Sequence, residues 1–155
     1  MPPDEKTGRV TVDLMSADDL PEIMAIEREA QPAPWTEGMF IDEMKASPAH
    51  CLSVRVEVQG RSFVAAYIIF RFVADEVHLH NLAVRREFRR QGLGFNLMNL
   101  MKDIASQANI FRRTLEVRAS NRKAIGLYEK CGFAVKGRRP RYYDDAKEDA
   151  LIMWA

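Results

Sequence analysis

Between Leu52 and Val58 apolar and polar positions alternate: Leu52, Val54, Val56 and Val58 take one face, and Ser53, Arg55 and Glu57 take the other. A period of two predicts a half-buried β-strand, and Gln59-Gly60 predicts a turn after it. The run Phe63 to Val73, rich in aromatic and β-branched residues, predicts the returning strand of a hairpin. Asp75-Glu76 marks another turn, and Val77 to Val84 a third strand of the same series. Upstream, Val10 to Met15 predicts a short strand. Ser16 then caps a helix, with Asp19 in the capping-box position, that runs to about Ala30 and is broken by Pro32 and Pro34. A second helix is expected over Glu37 to Ala46, ended by Ser47-Pro48.

The period then changes. Leu93, Leu97, Leu100, Met101, Ile104, Ala105 and Ala108 recur at helical spacing, an amphipathic stripe. Thr114 to Ala119 predicts a strand and Asn121 to Lys130 a helix closed by Gly132. Phe133 to Lys136 and Ala150 to Trp154 predict the last two strands. There is no internal repeat and no low-complexity linker. The expected class is α/β or α+β, a mixed sheet with helices on both faces.

With 155 residues, 47% hydrophobic and 29% charged, the chain fits one domain with a real core, which excludes disordered and collagen-like classes. Residues 1–9 are expected as a flexible tail before a single domain over 10–155. The net charge of +1 conceals an asymmetry: residues 1–50 carry 11 acids and 4 bases, residues 51–155 carry 11 acids and 19 bases. Arg85, Arg86, Arg89 and Arg90 form one basic cluster, and Arg138, Arg139 and Arg141 another. Such clusters are either solvated faces or sites for a phosphorylated ligand or nucleic acid, and a uniform nucleic-acid binder would be more basic. Two cysteines outside any Cys-x-x-Cys pair, a polar N-terminus and no apolar run near ~18 residues point to a cytoplasmic protein without a membrane span.

Arg89-Arg90-Gln91-Gly92-Leu93-Gly94 lies between a strand and a long helix, where glycines and free helix-start N–H groups suit a pyrophosphate. It matches neither a Walker loop nor the full dinucleotide fingerprint, and a plain glycine turn remains the alternative. Glu116 falls on the face of its strand opposite Leu115, Val117 and Ala119. A carboxylate inside a sheet is either a desolvated base or half of an ion pair, with Arg118 or a helix lysine. Asn121 and Tyr128, seven apart, share a helix face, and a helix cap and a core tyrosine are their structural roles. His78 and His80 share a strand face but lack a third metal ligand, so no metal is expected. Cys131, at a helix C-terminus, is poorly placed to be a thiolate.

Taken together, His80-Asn81-Leu82-Ala83-Val84, Arg89-x-x-Gly92-x-Gly94, Leu115 to Asn121, and Ala124-Ile125-x-Leu127-Tyr128-x-x-x-Gly132-Phe133 resemble the GNAT acyltransferase superfamily. Pro34-Trp35-Thr36-Glu37 with Phe40, Arg141-Tyr142-Tyr143 and Glu148 to Met153 narrow the resemblance to the RimI-type ribosomal-protein-alanine N-acetyltransferases, over about residues 10–154. The resemblance implies a GNAT-like, mostly antiparallel sheet with splayed parallel strands. It also implies acetyl-CoA as co-substrate and a protein N-terminus, that of a ribosomal protein, as acceptor, with neither nucleic acid nor membrane required.

Residue by residue, the resemblance implies that Leu82, Ala83 and Val84 offer backbone groups to the pantetheine arm, Val84 N–H polarising the thioester carbonyl. Arg90, Gln91, Gly92, Leu93, Gly94 and Phe95 would wrap the pyrophosphate, although Phe95 stands where a basic residue is often found. Glu116 becomes the general base, Tyr128 the general acid toward the departing thiolate, and Asn121 a residue near the cofactor. Trp35, Tyr142 and Tyr143, the tyrosines in a loop between the last two strands, would flank the peptide entrance. The acidic helices of residues 17–46 would favour a basic acceptor.

Overall fold

Tight turns organise the centre of the sheet. The computed structural model describes residues 7–47, 49–143 and 147–155. Its first four strands are β1 (Thr7–Leu14), β2 (Ala49–Val58), β3 (Arg61–Val73) and β4 (Glu76–Val84). Gln59 (φ 52°) and Gly60 (φ 79°) join β2 to β3; both are left-handed, the arrangement whose twist matches the flanking strands. Helices α1 (Leu20–Ala30) and α2 (Glu37–Lys45) lie between β1 and β2. After β4 come α3 (Leu93–Gln107), β5 (Arg112–Arg118), α4 (Arg122–Lys130), β6 (Ala134–Tyr143) and β7 (Glu148–Trp154).

The seven strands are ordered β1-β2-β3-β4-β5-β7-β6. β1 and β2, β5 and β7, and β6 and β7 are antiparallel, whereas β4 and β5 are parallel. The mixed, mainly antiparallel sheet is the class expected from the sequence. The parallel register runs only from Glu76–Arg112 to Leu79–Leu115, ending before either strand does.

Several boundaries differ from the sequence pattern. β1 begins at Thr7, which draws residues 7–9 of the expected tail into strand; residues 1–6 lie outside the described residues, as does Pro48, the expected stop of α2. β6 is ten residues long, so Tyr142 and Tyr143 end a strand and do not sit in a loop. In the α3 stripe Ala108 falls past the helix and is exposed, while Met98 is buried.

The chain divides into two compact units, Met1–Ile69 with Asn81–Leu97, and Phe70–His80 with Met98–Ala155. The first has a core of Met15, Leu20, Ile23, Ile26, Phe40, Cys51, Val64, Tyr67, Ile69 and Ala83. The expected capping box is present: Ser16 N–H donates to Asp19 Oδ2 at 2.9 Å. Asp19 is itself buried and also accepts from Ser53 Oγ (3.0 Å) and from the Arg55 guanidinium. Burial alone would raise the Asp19 carboxyl, but the Ser16 N–H, Arg55 and Ser53 outweigh it and hold it below its ordinary value.

In the second unit α4 ends in a Schellman motif. Gly132, at φ 90°, donates its N–H to Glu129 O and Phe133 donates to Tyr128 O, both at 3.0 Å. The Tyr128 and Phe133 rings then meet at 6.2 Å, the apolar contact that usually accompanies this motif. The glycine that stops the helix therefore also fixes Tyr128. At the far end of β6 three residues, Pro140 to Tyr142, oppose the single residue Asp149, because the register jumps from Arg139–Ala150 to Tyr143–Glu148. Arg141 takes φ 53° there, and Asp149 secures the bulge by accepting from Arg141 N–H (3.0 Å) and Arg138 Nη1 (2.7 Å).

Candidate active site

In the first unit the candidate donor-binding residues fall on three consecutive pieces of chain. Leu82, Ala83 and Val84 end β4, with Ala83 in the core. Pairing toward β3 continues one residue further, through Arg85 N–H to Ala65 O at 2.7 Å. Arg85 is then committed to structure: its guanidinium bonds Val64 O (2.7 Å) and Glu22 and lies 5.7 Å over the Phe63 ring. Arg89 Nε donates back to Val84 O at 3.0 Å, tying the loop to the strand end.

Arg90 (φ 63°) and Gly92 (φ 81°) both turn left-handed, bringing the chain sharply into α3. The first helical bond, Asn96 N–H to Gly92 O at 2.9 Å, leaves the N–H groups of Leu93, Gly94 and Phe95 ahead of the ladder. Nothing lies within 4 Å of where a Cβ on Gly92 would be, and Arg89, Arg90, Gln91 and Gly92 are all exposed. N–H groups ahead of the ladder of a 15-residue helix, beside exposed Arg89 and Arg90, form a chemically suitable cradle for a pyrophosphate. Phe95 is 40% exposed and offers that cradle no charge.

In the second unit Glu116 stands on the exposed side of β5, with a side chain 31% accessible. The expected desolvated carboxylate is thus corrected, because Glu116 itself is exposed, although Thr114 on the same face is buried. Its ion-pair partner also differs: Arg139 Nη2 of β6 lies 3.4 Å from Glu116 Oε1. Arg118 instead pairs with Glu148 at 3.7 Å and stacks 4.1 Å over the Tyr143 ring.

The neighbouring Glu116 carboxylate, as an acceptor and as a charge, holds the Tyr142 phenol above its ordinary value. Tyr143 is also raised, first by burial and then by Glu116. The two tyrosine rings meet edge to face at 5.1 Å. Glu116, Arg139, Tyr142 and Tyr143 therefore form one cluster, which the sequence pattern could not assemble because the length and register of β6 were hidden.

Tyr128 is buried on α4, and burial, reinforced by Tyr143 and Cys131, pushes its phenol far above the ordinary range. It is protonated throughout the neutral range. Asn121 is the N-cap of α4, its Oδ1 accepting from Ala124 N–H at 3.2 Å. Cys131 is the C-cap, and burial raises its thiol despite nearby Arg113. His78 pairs with Glu76 at 2.8 Å, and among the described residues no three His, Cys, Asp or Glu side chains gather to hold a metal.

Trp35, in the α1–α2 connection, packs on the first unit's core 5.1 Å from Phe40. Its N–H reaches a residue that the sequence reading missed: Glu27, a fully buried carboxylate (3.3 Å). A signal was present, since Glu27 lies four residues after Ile23 and seven after Leu20, on the apolar side of α1.

The model of the acetyltransferase (GNAT) family matches residues 20–133. The [ribosomal protein bS18]-alanine N-acetyltransferase of Escherichia coli is 37% identical over 145 residues, covering 92% of this chain and 95% of that protein. The crystal structure of the ribosomal-protein-S18-alanine N-acetyltransferase from the same organism superposes with a TM-score of 0.80 at 35% identity, covering 94% of this chain and 92% of the other. Ard1 from Thermoplasma volcanium gives a TM-score of 0.83 at 27% identity, covering 94% and 96%.

Proposed function

From the premise that the chain belongs to the GNAT acetyltransferase family and is an acetyl-CoA-dependent N-acetyltransferase, we propose that its acceptor is the N-terminal alanine of a small-subunit ribosomal protein. What supports the acceptor is the 37% identity, across nearly the whole of both chains, to an enzyme named for alanine of bS18. Acetyl-CoA supplies the activated acyl group. On this reading the N–H groups at the start of α3 and the exposed loop Arg90 to Gly92 bind its pyrophosphate, and the strand end Leu82–Val84 aligns the thioester, Val84 N–H polarising its carbonyl.

Glu116, through a water molecule, takes the proton from the peptide α-ammonium. An α-amine with a reference pKa of about 7.7–8.0 needs little help near neutrality, unlike a lysine near 10.4. In the second unit Tyr142 and Tyr143 grip the first residues of the acceptor; in the first unit Trp35, on the α1–α2 connection, is read as an entrance residue. The freed amine adds to the thioester carbonyl; as the C–S bond breaks, Tyr128, held protonated by burial, gives its proton to the departing thiolate, and the proton shed by the new amide nitrogen restores the phenol.

The deciding experiment incubates enzyme and acetyl-CoA with matched peptides beginning Ala, Ser or Met, each with one internal lysine, and locates the acetyl group by mass spectrometry. Acetyl confined to the α-amine, with Ala preferred, is the expected result. Acetyl confined to lysine would overturn the acceptor assignment.

A further inference from the structure

Glu27 has no exposed surface, and its neighbours along α1, Leu20, Ile23 and Ile26, are core residues. Three donors from three separate elements converge on it. Oε2 accepts from the Tyr67 hydroxyl on β3 and from Asn81 Nδ2 on β4 (2.9 Å), while Oε1 accepts from the Trp35 N–H (3.3 Å). Burial, and then the carboxylate beside it, hold the Tyr67 phenol far above its ordinary value.

A second route returns to the same place through ring contacts. Trp35 packs on Phe40 at 5.1 Å, and Phe40 packs edge-on against Tyr67 at 5.8 Å. The backbone of Trp35 and its indole are therefore anchored independently to one buried pair, Glu27 and Tyr67.

Packing alone does not call for a carboxylate here, since an apolar side chain of similar volume fills a core at lower desolvation cost. What a carboxylate uniquely provides is acceptance at both oxygens. We infer that Glu27 is a positioning residue of the acceptor side, fixing the α1–α2 connection at Trp35 to β3 and β4 so that the indole is presented in one orientation. This rests on the reading of Trp35 as part of the peptide entrance.

Glu27→Gln separates this role from bulk stability. The amide keeps the volume and accepts from Tyr67 and Asn81 through its oxygen, but it turns an NH2 toward the Trp35 N–H and loses that arm. Asp19→Asn is the control, an equally buried carboxylate of the same unit engaged with Arg55. In Glu27→Gln the peptide KM is expected to rise about tenfold while the acetyl-CoA KM stays within about twofold. Adding Trp35→Ala should raise the peptide KM little further, because both changes remove the same interaction.

The sequence holds two tryptophans, Trp35 and Trp154, so in a Trp154→Phe background Trp35 emission reports its own surroundings and should shift to the red in Glu27→Gln. Asp19→Asn should lower Tm and move neither KM nor emission. Glu27→Gln behaving like Asp19→Asn, or raising both KM values in parallel, overturns the inference. Should the wild-type enzyme acetylate no peptide N-terminus, the acceptor reading fails on its own. Emission then decides alone whether Glu27 fixes Trp35: a shift supports it and an unchanged spectrum refutes it.

Discussion

Arg139 on β6 reaches across β7 to Glu116 on β5, its Nη2 3.4 Å from the carboxylate and its guanidinium 5.5 Å from the Tyr142 ring centroid. The carboxylate therefore lies between an arginine and a phenol. If it is the base, Glu116→Gln removes proton acceptance while leaving the outline of the site intact. The kcat is expected to fall by about 10²–10⁴, with acetyl-CoA affinity by calorimetry unchanged. Unchanged turnover would remove Glu116 from the mechanism.

Tyr128→Phe deletes the proposed acid and keeps the ring that packs on Phe133. A fall in kcat of about 10- to 100-fold with unaltered peptide KM is expected. Because burial first, then Tyr143 and Cys131, push the phenol far upward, the wild-type pH profile should show no loss of activity attributable to Tyr128 ionisation below about pH 9. A basic limb near pH 8 that vanishes in Tyr128→Phe would contradict this.

Asn121 was open between a helix cap and a cofactor contact, and its bond to Ala124 N–H establishes the cap. Asn121→Ala should cost about 1 kcal/mol of stability, and Asn121→Ser should recover most of it. Urea denaturation measures both. A raised acetyl-CoA KM in both variants, independent of the stability change, would add the ligand role to the cap.

Asp19 gives the fold an acid limit. Its folded-state carboxyl lies below the ordinary value, so its contribution is present above the unfolded pKa near 4 and is lost as pH falls through the lower folded value. Asp19→Asn should lower stability by about 1–3 kcal/mol at pH 7 and flatten the decline of Tm below pH 4. Parallel Tm curves for the two proteins would reject this role.

Periodic segments were legible in the sequence. The β2–β3 hairpin, α1 and the apolar side of α3 announce themselves through alternation, capping residues and helical spacing, and the order of motifs around Asn81–Val84, Gly92–Gly94 and Tyr128–Gly132 carried the family. What stayed hidden depends on pairing across the sheet. β6, exposed along nearly all its length at the sheet edge and carrying Lys136, Arg138, Arg139 and Arg141, has no apolar face to show a period of two. Its last seven residues, 137–143, therefore looked like loop, and the partnership of Arg139 with Glu116 was invisible. Arg118 seemed the natural partner because residues two apart share a strand face, yet Glu148 and the Tyr143 ring claim it. Glu27 escaped because polar residues on helices are normally solvated, and only its phase on α1 set it apart.

The three-against-one bulge opposite Asp149 bears on how acceptor preference can diverge. A flexible loop is retuned continuously, whereas a bulge between fixed rungs changes in whole residues. Here the rungs Arg139–Ala150 and Tyr143–Glu148 enclose two surplus residues of chain, and a single carboxylate clamps them by a main-chain and a side-chain bond. Deleting or adding one residue in that interval re-aims Tyr142 without disturbing β7. On the proposed reading of Tyr142 as part of the acceptor grip, a change of length at Pro140–Tyr142 alters recognition of the incoming terminus.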